Sequence, residues 1–397
     1  MVTSLFFIWG FTHTMMDVLN KHFQGELGIS ISQSTFVQMS FFLGYFLFAL
    51  PAGKFLSKYG YRKSMVFGLS MFGLAAFLLG LGSNLFKDAD RMSLFYFFLL
   101  SLFLIASGLV FLEVAASPYI TQLGDRNNAA CRLNFAQSMN GLGNICGPWI
   151  GGLLLFSGGA ADVTLLYIVL GLLVLTFSMA FSRIDLPDIP SDKNTNDDSS
   201  PYLALWNNKY FVNGFIALFF YEISEIGINS MFINYAGSEQ GVENLMASRW
   251  LSLGYVLFMC ARFGGSWVMS RVRAEKVLFW CAWGSVLTSL LVFMDLGIIS
   301  MIMLMLNYIC EAIMFPTIFS LALQGLGNLA KQASAVLMLS TIGGAIGPLL
   351  MGAIADYTTL SFAFIVPMIG FLVVLAYSWR VNTVTSGHAP KRKGKPT

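Results

Sequence analysis

Apolar runs of membrane-spanning length follow one another from one end of the chain to the other, and they leave little choice of fold. Twelve can be counted, near residues 2–24, 35–57, 64–85, 93–122, 131–157, 162–182, 209–236, 246–270, 277–296, 298–323, 332–355 and 360–380. A helix needs about 20 mostly apolar residues to cross a bilayer. Hydrocarbon offers no hydrogen-bond partner to an open backbone, so a crossing segment is a helix or part of a closed barrel. The alternation that marks barrel strands is missing. The chain is 56% hydrophobic and only 11% charged, against about 25% charged in soluble domains. The expected fold class is an all-α membrane protein with twelve transmembrane helices, and the lipid bilayer is its first partner.

Several classes of function drop out. The net charge is only +3, with no basic stripe or nucleic-acid motif, so nucleic acid is not an expected partner. Cys131, Cys146, Cys260, Cys281 and Cys310 are scattered through apolar runs without metal or disulfide spacing and read as packing residues. No metal and no cofactor are expected. Metalloprotease, Walker and nucleophile-elbow motifs are absent, and nothing supports an enzyme. The first run has no basic leader and is long enough to span, so it reads as a helix and not a cleavable signal.

The long polar stretch 183–208, with Pro187, Pro190 and SDKNTNDDSSP, reads as a flexible linker. It divides the chain into a six-helix bundle at 1–182 and a second at 209–380, followed by a basic tail at 381–397. Basic residues set topology. They cluster after the second run (Lys54, Lys58, Arg62, Lys63), after the eighth (Arg271, Arg273, Lys276) and in the tail (Lys391, Arg392, Lys393, Lys395). Both termini and the linker are therefore expected to be cytoplasmic.

The two halves repeat in detail. Glu113 precedes Pro118 by five residues, and Glu311 precedes Pro316 by five, both pairs offset by 198. Gly147–Pro148 returns as Gly347–Pro348, each led by a glycine four residues earlier, Gly143 and Gly343. Gly44–Tyr45 in the second run is matched by Gly254–Tyr255 in the eighth. Two parallel six-helix repeats about a central site resemble the plan of the major facilitator superfamily.

Polar groups inside the runs are the candidate site. An acid at a helix centre costs roughly 2.5–3.5 kcal/mol by insertion scales, so it marks function by default. Asp17 lies about 22 Å along the first helix, one turn beyond His13. Its bland reading is a helix-end acid snorkelling toward water beside Lys21 and His22. Glu113 is flanked by Leu112, Val114 and Ala115; carrying charge is costly there, which suits a group that takes up and gives back a proton. Asn134, Gln137, Gly141 and Asn144 form one stripe on the fifth helix, with Asn140 beside it. Amides offer the donors and acceptors that sugar hydroxyls require, and equally serve as glue between helices. The seventh helix carries Glu222, Glu225 and Asn229 on one face. Arg262, a base well inside the eighth run, is expected to form an ion pair with a carboxylate.

The segments SLFFIWGF, MMDVLNKHFQ, GYFLFALPAG, FLEVAASPY, RLNFAQSMN and IMFPTIFSL occur in this order over nearly the whole chain. Together they resemble the fucose:proton symporter family, the L-fucose and glucose/galactose permease branch of the major facilitators. The resemblance implies a multi-pass protein of the bacterial inner membrane. It implies proton coupling at Asp17 and Glu113 and sugar contacts from Gln137, Asn140 and Glu113, with Glu225 as the family's seventh-helix glutamate. His13, Asn134, Asn144, Asn229 and Glu311 complete the candidate substrate set. Gly143, Gly147, Pro148, Gly343, Gly347 and Pro348 are the candidate packing and gating residues.

The chain departs from the family in three places. His13, Thr14, Met15 and Met16 stand where the fucose permease has asparagines. Ser57 replaces the acid of the superfamily loop after the second helix. Glu311 stands where relatives carry a small or amide residue, as an added sugar ligand or a second titrating group. The expected function is import of a hexose or deoxyhexose by proton symport through alternating access, by a monomer. Sodium coupling, drug:proton antiport (favoured by GNICGPWIGG, residues 143–152) and a sugar sensor that moves nothing are the alternatives.

Overall fold

A computed structural model of the chain describes residues 2–85, 90–122, 129–156, 163–183, 205–269, 271–324, 326 and 329–387. The N-terminal half holds α1 Val2–Leu27, α2 Ile31–Ser34, α3 Phe36–Leu85, α4 Arg91–Gln122, α5 Ala129–Phe156 and α6 Val163–Arg183. The C-terminal half holds α7 Lys209–Ser238, α8 Asn244–Met269, α9 Ala274–Phe293, α10 Ile298–Glu311, α11 Met314–Ala322 and α12 Ala330–Met338. It ends with α13 Gly343–Tyr357, α14 Leu360–Ala363 and α15 Ile365–Gly387.

Ten stretches are long and apolar enough to cross a membrane. One of them, Ile31–Gly82, spans 52 residues and contains two crossings. They meet at Gly60, whose φ of 81° and ψ of 174° break the helix in a region that favours glycine. The polar residues Lys54–Lys63 otherwise stay helical, because a helix satisfies its own backbone and needs apolar side chains only where it meets lipid. With α5, the crossings number twelve, as the apolar runs predict.

The linker expected at 183–208 falls mostly outside the described residues. α6 ends at Arg183, and α7 begins behind Asn208, whose Oδ1 accepts from the backbone N–H of Tyr210 at 3.0 Å and of Phe211 at 3.3 Å. This is an ordinary N-cap. The last helix continues to Gly387, past residue 380, where the basic tail is expected to begin. Residues 388–397 lie outside the described residues.

Crossings alternate in direction. The N-terminus, Gly60 and the end of α6 share one end of the bundle, here called the terminal end; α2 and the turn between α13 and α14 mark the far end. Within the halves, α1 packs on α5, and α7 packs on α13. The repeated glycines seat these pairs. A Cβ at Gly143 would strike the Phe7 carbonyl, and one at Gly147 the Thr14 hydroxyl. Their counterparts Gly343 and Gly347 lie against the carbonyls of Phe219 and Ile223. The four glycines therefore serve packing inside each half.

The seam between the halves pairs α5 with α8, α3 and α2 with α13, and α1 with α7. It is fastened toward the far end. Asp356 of α13 accepts from the backbone N–H of Ile31 (3.0 Å) and Ser32 (3.1 Å) in α2. Asn20 Nδ2 donates to Ser230 Oγ at 2.8 Å, and to Gln38 Oε1 at 3.1 Å. Gly152 sits against Ser248, and Gly352 against the backbone of Ser32.

Candidate functional site

The tenth crossing is not one helix. α10 stops at Glu311 and α11 starts at Met314. The cause lies in the sequence: Pro316 has no N–H to give the carbonyl four residues back, and its ring crowds that carbonyl. The freed carbonyls find side-chain donors. Arg262 Nε donates to Ala312 O at 3.1 Å, and Tyr221 Oη to Glu311 O at 3.1 Å. The Arg262 guanidinium also lies 4.6 Å over the Phe258 ring, a favourable cation–π arrangement. The ion pair expected of Arg262 is not formed among the described residues; Glu225 is only within electrostatic reach. A helix-break carbonyl and an aromatic face take its place.

Asp17 is buried at the seam. Its Oδ2 accepts from Tyr255 Oη of α8 at 3.0 Å, so a carboxylate of one half is held by a hydroxyl of the other. Tyr308 of α10 packs edge-on against Tyr255, with ring centroids 5.7 Å apart. The Tyr308 hydroxyl is buried without a partner, within electrostatic reach of Glu311, Asp17 and Glu225. Gly254 makes room for the Tyr308 ring, which a Cβ there would meet at 3.0 Å. His13 packs edge-on against Phe41 and Phe42, with centroids 6.0 and 5.7 Å away.

Glu113 occupies the matching place in the N-terminal half. It lines a small cavity with Trp9, Leu5, Phe6, Leu109 and Ala116. The Trp9 indole N–H and the Tyr45 hydroxyl are buried without a partner within hydrogen-bond distance. Tyr45 neighbours both Glu113 and Trp9, so its hydroxyl stands between the indole N–H and the carboxylate. Glu222 of α7 lies across the seam within electrostatic reach of Glu113.

The fifth-helix amides divide. Gln137 is partly exposed. Asn140 is buried and donates to the Phe6 carbonyl at 3.3 Å, and Asn144 Nδ2 reaches Asn140 Oδ1 at 3.4 Å. Asn140 ties α5 to α1, and Asn144 braces it from within α5. The side chain of Asn134 lies outside the described residues. On α7, Glu225 is partly buried beside Tyr221, and Asn229 is buried with Oδ1 unpartnered. Glu311 is fully buried; its Oε2 accepts from Asn307 Nδ2 at 2.8 Å and its Oε1 has no partner.

The structure thus adds four tyrosines, at 45, 221, 255 and 308, to the carboxylates read from the sequence. Two of them, Tyr45 and Tyr255, are the matched residues of the Gly–Tyr repeat. That repeat was the signal that could have found them.

Comparison with known proteins follows the same geometry. Residues 1–346 match the family described as Major Facilitator Superfamily. The chain belongs to the major facilitator superfamily. Within the superfamily, a Brucella abortus (biovar 1, strain 9-941) protein named glucose/galactose transporter is 32% identical over 387 residues, 95% of this chain and 92% of that one. A Haemophilus influenzae L-fucose-proton symporter is 29% identical over 416 residues, 96% of this chain and 95% of that one. These relatives place this superfamily member in the fucose and glucose/galactose permease branch. The crystal structure of the superfamily transporter FucP in its outward conformation matches with a TM-score of 0.71 at 27% identity, over 96% of this chain and 97% of that one. A bacterial homologue of the human lysosomal transporter Spinster reaches 0.76 at 12% identity, over 96% and 95%, a likeness of fold alone. Membership makes the chain a transporter and not an enzyme.

Proposed function

We propose that this chain imports a monosaccharide of hexose or deoxyhexose type by proton symport through alternating access. The observation that carries the reading is the hydrogen bond from Tyr255 Oη to Asp17 Oδ2 across the seam. A carboxylate there is cheap to bury when it holds a proton and costly when it does not. Its protonation therefore biases which end of the bundle can close. The similarity to proteins named glucose/galactose transporter and L-fucose-proton symporter supports the same substrate class.

In the orientation implied by the basic residues, the terminal end faces the cytoplasm of a bacterium and the far end faces outward across the inner membrane. With the far end open, Asp17 takes a proton from outside. Sugar binds between the halves, against Gln137 and Glu113 on one side and Glu225 and Asn229 on the other, with His13 at the margin. Asn140, braced by Asn144, holds α1 in register beneath it. The far end then closes along α5–α8 and α3–α13, the arrangement described above. Opening at the terminal end releases sugar and proton. One proton crossing 100 mV supplies about 2.3 kcal/mol, roughly fifty-fold accumulation. The transporter works as a monomer.

The test is uptake of D-glucose, D-galactose and L-fucose into proteoliposomes with an imposed pH gradient, with sodium replaced by choline in one arm. Gradient-driven uptake that disappears in Asp17→Asn is expected. Uptake that ignores both the gradient and that substitution would overturn proton coupling, and dependence on sodium would replace the proton with a different ion.

A further inference from the structure

Glu311 is a carboxylate that this cycle leaves without a task. We infer that Glu311 is a second proton carrier, lodged in the C-terminal half, so that two protons accompany each sugar. The stoichiometry rests on the symport reading; the titration of Glu311 does not.

The geometry separates a proton site from a sugar ligand. Glu311 has no exposed surface, unlike the partly exposed Gln137 and Glu225. Tyr221 donates to its own main-chain carbonyl at 3.1 Å, and the fully buried Tyr308 lies one turn before it. The side chain is fixed from behind. Thr288 Oγ1 of α9 donates to Asn307 Oδ1 at 2.9 Å, which turns the Asn307 amide N–H₂ toward Glu311 Oε2 at 2.8 Å. Oε1 is left with no partner at all. An ionised carboxylate has about four acceptor sites to fill, and a buried charge with one neutral donor is several kcal/mol out of balance. A proton on Oε1 removes the charge.

Among the described residues no ion pair neutralises Glu311. From α7 it faces Tyr221 and Glu225, a second acid and no counter-charge. Arg262 of α8 donates through Nε to the Ala312 carbonyl, and among the described residues it forms no ion pair with Glu311. On its own helix stand Tyr308 and Cys310, with Cys281 of α9 beside the latter. Asp17 of α1 reaches only as far as Tyr308. The helix break begins at the very next residue, Ala312, so Glu311 stands at the joint between α10 and α11. In the full step, a proton from outside water adds to Oε1, the carboxylate becomes a carboxylic acid, and the proton leaves to cytoplasmic water. No other bond changes.

The test has two arms, both on the full chain reconstituted in lipid. Infrared difference spectra across pH, without sugar, should contain a protonated-carboxyl band that is missing in Glu311→Gln and displaced in Asn307→Leu; the second variant guards against misfolding of the first. Band and displacement both absent would overturn the assignment. Flux-balance measurements with D-glucose, D-galactose and L-fucose should show a sugar ratio rising about a hundred-fold per pH unit in the wild type and about tenfold in Glu311→Gln, since each proton contributes about tenfold. A tenfold slope in both would overturn the second proton. No flux of any of the three sugars would sink the sugar reading, while the infrared arm would still decide what Glu311 does.

Discussion

At the residue scale, two carboxylates of the candidate site each have a tyrosine of another helix beside them: Tyr255 donates to Asp17, and Tyr45 neighbours Glu113. At Glu311 the tyrosine, Tyr221, holds the main-chain carbonyl and not the carboxylate. The acids were legible in the sequence because a charge in an apolar run stands out. The tyrosines were not, since a tyrosine in such a run reads equally as packing or as an interfacial anchor. Only the repeated Gly44–Tyr45 and Gly254–Tyr255 hinted at them. Two outcomes follow. Tyr255→Phe removes one hydrogen bond to a charged group, worth about 1.5–3 kcal/mol. Uptake at fixed pH gradient should fall roughly ten-fold or more, while detergent-solubilised protein still folds and binds sugar in a thermal-shift assay. Glu113→Gln should abolish gradient-driven accumulation, with sugar counterflow measured in the same vesicles as the control for surviving exchange.

At the scale of elements, the length and apolarity of the runs gave the twelve crossings, and the polar residues around Gly60 gave the turn between the second and third. The break at Ala312 could not be placed from the apolar run at 298–323, which is continuous in hydropathy. Pro316 marks it only in hindsight, because Pro118, in the twin position, leaves α4 unbroken. The difference lies in tertiary donors: Arg262 and Tyr221 are present to take the carbonyls freed by Pro316. Pro316→Ala restores the missing N–H and puts it in competition with Arg262. The expected result is a straighter tenth crossing, higher thermal stability by about 1–3 kcal/mol, and slower transport, read by unfolding midpoint and initial uptake rate. Packing at the repeated glycines predicts the reverse sign. Gly143→Val drives a branched side chain into the α1 backbone at Phe7 and should lower stability by about 1–3 kcal/mol, seen as a fall in the detergent unfolding midpoint.

For the whole molecule, the division into two halves was legible from the repeat, but the seam was not. Nothing in the order of the runs says that α13 meets α2, or that Asp356 would cross from one half to the other. That contact fastens the far end through two charge-assisted hydrogen bonds. Asp356→Ala should cost the closed arrangement about 1 kcal/mol, a roughly fivefold shift toward far-end opening. Spin labels placed at opposite sides of the seam would report it as a longer distance distribution. Two donors in this contact are main-chain N–H groups of Ile31 and Ser32, beside the Ser30 and Ser32 hydroxyls, and that has a genetic consequence. The main-chain donors carry no side chain to lose. A selection for leaky transporters should return many substitutions at Asp356. At Ser32 proline should be the strongest of them, the residue that deletes the main-chain donor together with the hydroxyl.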